Sequence, residues 1–257
     1  DLMRLKTRKE ALLKSHGFPA DYLEMSYDCP LCRDTGYIDG RKCQCLRARE
    51  VGVLYDQSHL RELTAANNFS VVSGEYYQGE DLERFHRALQ VSREFVNNFD
   101  SDYENLYFYG TVGTGKSFLS ICAAGELIES GHSVLYFSAS ALFDKLSALA
   151  FQYQNKDEYR SFIEDISDVQ LLIIDDLGTE IASSFVSGQL FSIINERNLR
   201  RRSTIISTNL TLEDLRNRYS DRVCSRIISG YTACKLTGPD IRIIKKVRNN
   251  GANNKTK

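Results

Sequence analysis

Gly110-Thr111-Val112-Gly113-Thr114-Gly115-Lys116-Ser117 is the stretch that decides the fold of this 257-residue chain. It fits G-x-x-x-x-G-K-[ST], a loop whose glycines turn backbone N–H groups inward around a phosphate. In that loop Lys116 reaches the β and γ phosphates and the Ser117 hydroxyl binds Mg²⁺. The flanks agree. Residues 105–109 read as a short buried strand and residues 118–128 as a helix whose positive N-terminus faces the phosphates. A glycine turn with no ligand has the same spelling, but it does not require a strand before it and a helix after it.

Downstream of the loop the chain alternates. Strands are expected at 133–137, 170–174, 204–207 and 231–236, with helices at 140–150, 184–199, 211–219 and 221–228 and a partly helical polar segment at 152–168. Short apolar strands separated by helices predict a parallel sheet covered on both faces, an α/β fold. Upstream, residues 2–16 and 46–63 have helical spacing, residues 27–46 are rich in turns and cysteines, residues 67–79 are irregular and aromatic, and residues 81–99 form an amphipathic helix. The organisation expected is a 1–66 helical segment with a cysteine module, a 67–246 nucleotide-binding domain and a disordered basic tail at 247–257.

Composition limits the partners. A net charge of -1 gives no global field toward nucleic acid or membrane. No apolar run approaches the ~20 residues that span a bilayer, and no secretory pattern opens the chain. The chain starts at Asp1 in mid-pattern, as a fragment lacking an N-terminal piece would. Of seven cysteines, Cys29, Cys32, Cys43 and Cys45 crowd together. This uneven use suits a reducing cytoplasm and a metal site better than a disulfide framework. Cys29-Pro-Leu-Cys32 has zinc-knuckle spacing, Cys43-Gln-Cys45 is tighter, and together they offer a tetrahedral S₄ site for zinc, with an iron–sulfur cluster as the alternative. A metal here staples a segment too small to bury its own core.

The apolar run from Leu171 ends in Asp175 and Asp176. A carboxylate at the end of a buried strand beside the phosphate loop supplies the Mg²⁺ ligand that the chemistry needs. Asp175 is the metal-side group and Asp176 the one that positions or deprotonates water. The next strand ends in Thr208-Asn209, which either caps the following helix or holds the attacking water or a γ-phosphate oxygen. Arg222 and Arg226 lie one turn apart, as a solvated face or as side chains reaching a phosphate across an interface. Arg242 is a third candidate.

The set GTVGTGKS, LLIIDDLG, STN, DRVCSRI and GPDIR resembles an AAA+ ATPase, and more narrowly the bacterial replicative helicase loaders of the DnaC/DnaI group and their relative IstB. The resemblance covers about residues 67–246. It implies a P-loop ATPase with a minimal C-terminal lid, ATP and Mg²⁺ as cofactors, Asn209 as first sensor, Arg242 as second sensor, and Arg226 or Arg222 reaching a neighbouring subunit's nucleotide. Many AAA+ proteins carry Glu where this chain has Asp176; the shorter side chain sets water differently and allows slow hydrolysis. Glu180, Asn195 and Arg197 match positions common in the loader group. The cysteine segment resembles a zinc-bearing module of some loaders and is not expected of the IstB branch. What the resemblance implies is an ATP-dependent loader that places a replicative helicase on single-stranded DNA and self-associates with ATP. The alternatives are an IstB-like ATPase assisting a transposase, a P-loop kinase, and a non-hydrolysing ATP-binding scaffold. Arg200-Arg201-Arg202, the basic 235–257 stretch and the first helix are solvated faces or DNA contacts.

Overall fold

The computed structural model describes residues 2–19, 22–23, 25–43, 45–46, 49–50, 58–151 and 156–253. The chain divides into two units, Asp1–Cys43 and Gln44–Lys257. The first holds a helix, Leu2–Ser15, and a two-stranded antiparallel hairpin, β1 (Tyr37–Ile38) and β2 (Arg41–Lys42). Asp39 and Gly40 make the hairpin turn with φ of +50° and +76°. Two positive φ values are what a type I′ turn requires, and Asp-Gly is a preferred spelling for it.

In the second unit a five-stranded, wholly parallel sheet is built from β3 (Leu106–Gly110), β4 (Val134–Ser138), β5 (Leu171–Leu177), β6 (Ser203–Thr208) and β7 (Thr232–Leu236). Its order is β4-β5-β6-β3-β7, so the chain leaves β3 for the far edge and returns to both sides of it. Leu106, Tyr107, Phe108 and Leu171 to Ile174 are all buried, as the continuous apolar spelling of strands covered on both faces requires. Alternation sends Tyr107, Leu172, Ile174 and Ile206 to one core. Leu106, Phe108, Leu171, Ile173 and Ile205 go to the other. Helices Ala139–Phe151, Lys156–Asp168 and Ser184–Leu199 contribute to the first core, and Gly79–Asn97 and Lys116–Glu129 to the second. Burying a Leu or Ile fully contributes about 1.5–3 kcal/mol of transfer free energy, and Leu171 to Ile174 of β5 are all fully buried.

One buried cation ties this framework together. Arg197 is fully buried and donates to the Ile166, Val169 and Ser203 carbonyls and to Thr204 Oγ1. It therefore joins the end of Lys156–Asp168 to the start of β6. Residues 51–57 and 152–155, parts of the expected 46–63 helix and 152–168 segment, lie outside the described residues. At the C-terminus the helix Ile241–Asn253 runs past residue 247, where a disordered tail is expected from composition. Arg248 at that point pairs with Glu75 at 2.8 Å and its guanidinium lies 5.2 Å from the Tyr76 ring, which gives the basic segment fixed partners. Residues 254–257 of that tail lie outside the described residues. Helix Ser58–Ala66, placed upstream of the nucleotide domain on sequence, lies against Lys116–Glu129.

Candidate functional site: a nucleotide cleft and a cysteine tetrad

The phosphate loop leaves β3 at Gly110 and enters the helix Lys116–Glu129 through Gly115, whose φ is +85°. No side chain caps that helix, so its first N–H groups face the loop, as an anion site needs. Gly110 is required by close approach of backbone, and Gly113 by its φ of +73°. A Cβ on Gly110 would stand 1.9 Å from the Leu236 carbonyl oxygen, and one on Gly113 2.2 Å from the Asp240 carboxyl. Thr111 N–H donates to Leu236 O at 3.1 Å and Ile241 N–H to Gly113 O at 3.0 Å. The loop is thus held against the Gly238–Arg242 segment, which brings Arg242 to the cleft.

Lys116 is buried, and its ammonium donates to Gly110 O at 3.1 Å and Thr111 O at 2.5 Å. Burial pulls its pKa down to about 8, against the raising influence of Asp176 and Asp175. Asp175 is buried at the end of β5, and its carboxylate accepts from Tyr136 OH at 2.6 Å and from Ser207 Oγ. Asp176 has φ of +52° and is only partly buried. Burial first, then the neighbouring Asp175, raises its carboxyl pKa, while Lys116, Arg242 and Asn209 oppose the shift. Asn209 Nδ2 donates to Asp176 Oδ1 at 3.5 Å.

Of the two readings of Asn209, the capping one does not hold. The helix Leu212–Tyr219 is capped by Thr211, whose hydroxyl accepts from Asp214 N–H at 3.1 Å in a capping box. Asn209 is therefore released from capping and stands beside Asp176. Lys116, Ser117, Asp176, Asn209 and Arg242 share one cleft of about 440 Å³ with Val112, Gly113, Thr114 and Gly115. Arg222 and Arg226 are exposed on the helix Asp221–Gly230 and do not line it.

The donors suit their ions. A carboxylate and a hydroxyl, Asp175 and Ser117, are the hard oxygen ligands that Mg²⁺ takes. The sulfurs of Cys29, Cys32, Cys43 and Cys45 lie within 4.8 Å of one another. Cys29 Sγ and Cys43 Sγ are 3.8 Å apart. Two thiolates on one tetrahedral zinc at ~2.3 Å each stand about 3.8 Å apart, so the tetrad fits a single ion. Gly36 N–H reaches Cys32 Sγ at 3.4 Å, and Asp34 Oδ1 accepts Cys29 N–H at 2.8 Å, fixing the knuckle.

Sequence reasoning missed the other wall of the cleft: Tyr76, Tyr77, Phe85, Ile241 and Lys245. Tyr77 stacks on Phe85 with centroids 4.3 Å apart and donates its hydroxyl to Thr114 O at 3.0 Å. The signal was the aromatic pair in an aperiodic segment just before an amphipathic helix. Glu180, given no role on sequence, is buried and accepts from Gly178 N–H at 2.9 Å and Arg218 Nε at 3.1 Å. It ties the loop after β5 to the helix that follows Asn209.

The family described as IstB-like ATP binding protein matches residues 58–229. The replicative helicase loader DnaC of Escherichia coli (strain K12) is 29% identical over 185 residues, covering 72% of this chain and 72% of that protein. The crystal structure of the DnaC helicase loader superposes with a TM-score of 0.58 at 24% identity, over 68% of this chain and 98% of that one. That of DnaI gives 0.57 at 21%, over 69% and 94%. At these identities the structures establish a shared fold, a parallel sheet flanked by helices. Among the described residues, no helix is long and apolar enough to cross a membrane.

Proposed function

The chain belongs to the IstB-like ATP binding protein family, and on that premise we propose that it is an ATP-operated loader, delivering a replicative DNA helicase onto single-stranded DNA during replication. The observation that carries the reading is the single cleft shared by the phosphate loop, Asp176, Asn209 and Arg242, in a chain whose relatives are named replicative helicase loaders.

In this reading Gly110 to Ser117 cradles the phosphates, and Ser117 and Asp175 hold Mg²⁺. Asp176 orients water and takes its proton, giving ADP and inorganic phosphate from ATP. Asn209 and Arg242 hold the transferring phosphoryl group. Arg226, or Arg222, is exposed and serves a neighbouring copy in an ATP-dependent oligomer. Residues 67–246 form the ATPase domain, and the cysteine tetrad binds zinc within the N-terminal 1–66 segment. The chain works in the cytoplasm.

The test has two arms. Lys116→Ala abolishes ATP binding; a variant that binds ATP as tightly as wild type removes the site assignment. Light scattering with ATP and a replicative helicase then reports a complex, and a chain that captures a transposase and no helicase is an IstB-type ATPase. Phosphate transfer to an acceptor other than water would make it a kinase. Absence of phosphate release under all conditions would make it a scaffold.

A further inference from the structure

We propose that Ser207 is the positioning residue that separates the tasks of Asp175 and Asp176, with Tyr136 as its counterpart on the opposite strand; this rests on the ATPase reading above. The sheet carries the argument. β5 pairs with β6 through Ile174↔Ile206 and next through Leu177↔Thr208. Between them Asp175 and Asp176 face Ser207 alone, a two-against-one β-bulge. A bulge leaves one backbone N–H without its ladder partner. Here that N–H belongs to Asp176, and Ser207 Oγ accepts it at 3.0 Å.

The same hydroxyl donates to Asp175 Oδ1. Tyr136 OH, from β4, donates to Asp175 Oδ2 at 2.6 Å. Each Asp175 oxygen therefore takes one hydroxyl, and the carboxylate is clamped between the two neighbouring strands. Ser207 is fully buried, so nothing in solvent replaces its two bonds. The bulge also turns Asp176 to φ +52°, a backbone conformation that non-glycine residues adopt seldom. In a regular strand adjacent side chains point to opposite faces. The bulge instead keeps Asp175 within the sheet and brings Asp176 to the cleft wall beside Asn209. One serine thus sets the metal-side carboxylate and the water-side carboxylate at once.

The experiment uses the whole chain with a fluorescent ATP analogue, titrated in EDTA and in Mg²⁺, together with steady-state hydrolysis. Ser207→Ala is expected to shrink the Mg²⁺-dependent gain in affinity about tenfold and to lower kcat with KM for ATP nearly unchanged, as loss of a hydrogen bond to a charged group predicts. Ser207→Thr, which keeps the hydroxyl, restores both. Tyr136→Phe reduces the Mg²⁺ gain in the same direction. If Ser207→Ala keeps the Mg²⁺ gain and kcat within about twofold of wild type, less than one such bond contributes, the proposal is overturned. If Ser207→Ala shows no cooperative melt, Tyr136→Phe decides, and an unchanged Mg²⁺ response in it overturns the clamp. A wild-type chain that binds no analogue strikes the ATPase reading itself; wild-type binding with unresponsive variants strikes only the role of Ser207 and Tyr136.

Discussion

Asn209 at the end of β6 donates its side-chain amide to the Asp176 carboxylate at the end of β5, at 3.5 Å. The two acceptor and donor groups come from adjacent parallel strands, so the sheet register fixes their separation. Asp176→Asn is expected to lower ATP hydrolysis about 10²-fold or more while ATP binding persists, because a general base is lost and the phosphate loop is not. Asn209→Ala has a finer signature. Its hydrogen bond favours the ionised carboxylate, so removing it raises the Asp176 pKa further. A base must be ionised, and its activity is lost as pH falls through that pKa. The acid limb of the kcat profile therefore moves to higher pH in Asn209→Ala. An unmoved limb in a pH–rate comparison contradicts the assignment of Asp176 as base.

Lys116 makes ATP affinity sensitive to alkali. In the free chain burial brings its pKa down to about 8. Bound phosphates favour the charged ammonium, so binding takes up a proton whenever Lys116 starts neutral. ATP affinity is expected to be flat below that pKa and to fall as pH rises through it, by up to about tenfold per pH unit. Calorimetric titrations between neutral pH and the alkaline range measure this. An affinity independent of pH there shows that Lys116 does not carry the phosphate contact.

The cysteine tetrad predicts one zinc per chain, released by a strong chelator or by a thiol-modifying reagent and counted with a metallochromic dye. Cys29→Ser is expected to remove the metal and the hydrogen-exchange protection of the β1–β2 hairpin. The parallel sheet lies in the separate unit from Gln44 onward, and its protection is expected to stay. Iron in place of zinc in the purified chain would favour the iron–sulfur alternative.

Arg197 is a stability residue. Arg197→Met leaves the Ile166, Val169 and Ser203 carbonyls buried without their donor. The expected loss is about 3–5 kcal/mol, read from the urea midpoint of unfolding, with Arg197→Lys intermediate because one ammonium cannot reach those carbonyls and Thr204 Oγ1 together. A variant as stable as wild type would show that solvent or repacking satisfies those carbonyls.

Much of the fold could be read locally. Leu106 to Phe108 and Leu171 to Ile174 spell strands buried on both faces, and each proved so. Gly110 to Ser117 announced its own conformation, since close backbone approach and left-handed φ leave few residues but glycine. The Thr208-Asn209 ambiguity was not local: Thr211 supplies the cap, and only the Thr211–Asp214 pair seen in three dimensions frees Asn209. The helix Ile241–Asn253 shows the opposite failure. Its composition reads as a solvated tail, yet contacts of Arg248 with Glu75 and Tyr76 lie more than a hundred and seventy residues away in the chain.

The sequence by itself determined which residue types stand ready for phosphate, magnesium and zinc, because those chemistries depend on short spacings that the chain carries in contiguous runs. Tertiary structure alone decided the strand order β4-β5-β6-β3-β7, the aromatic wall of Tyr77 and Phe85, and the bulge at which Ser207 holds Asp175 and Asp176 apart. These depend on pairing between distant strands, and hydrophobic periodicity records that a strand is buried without recording which strand lies beside it.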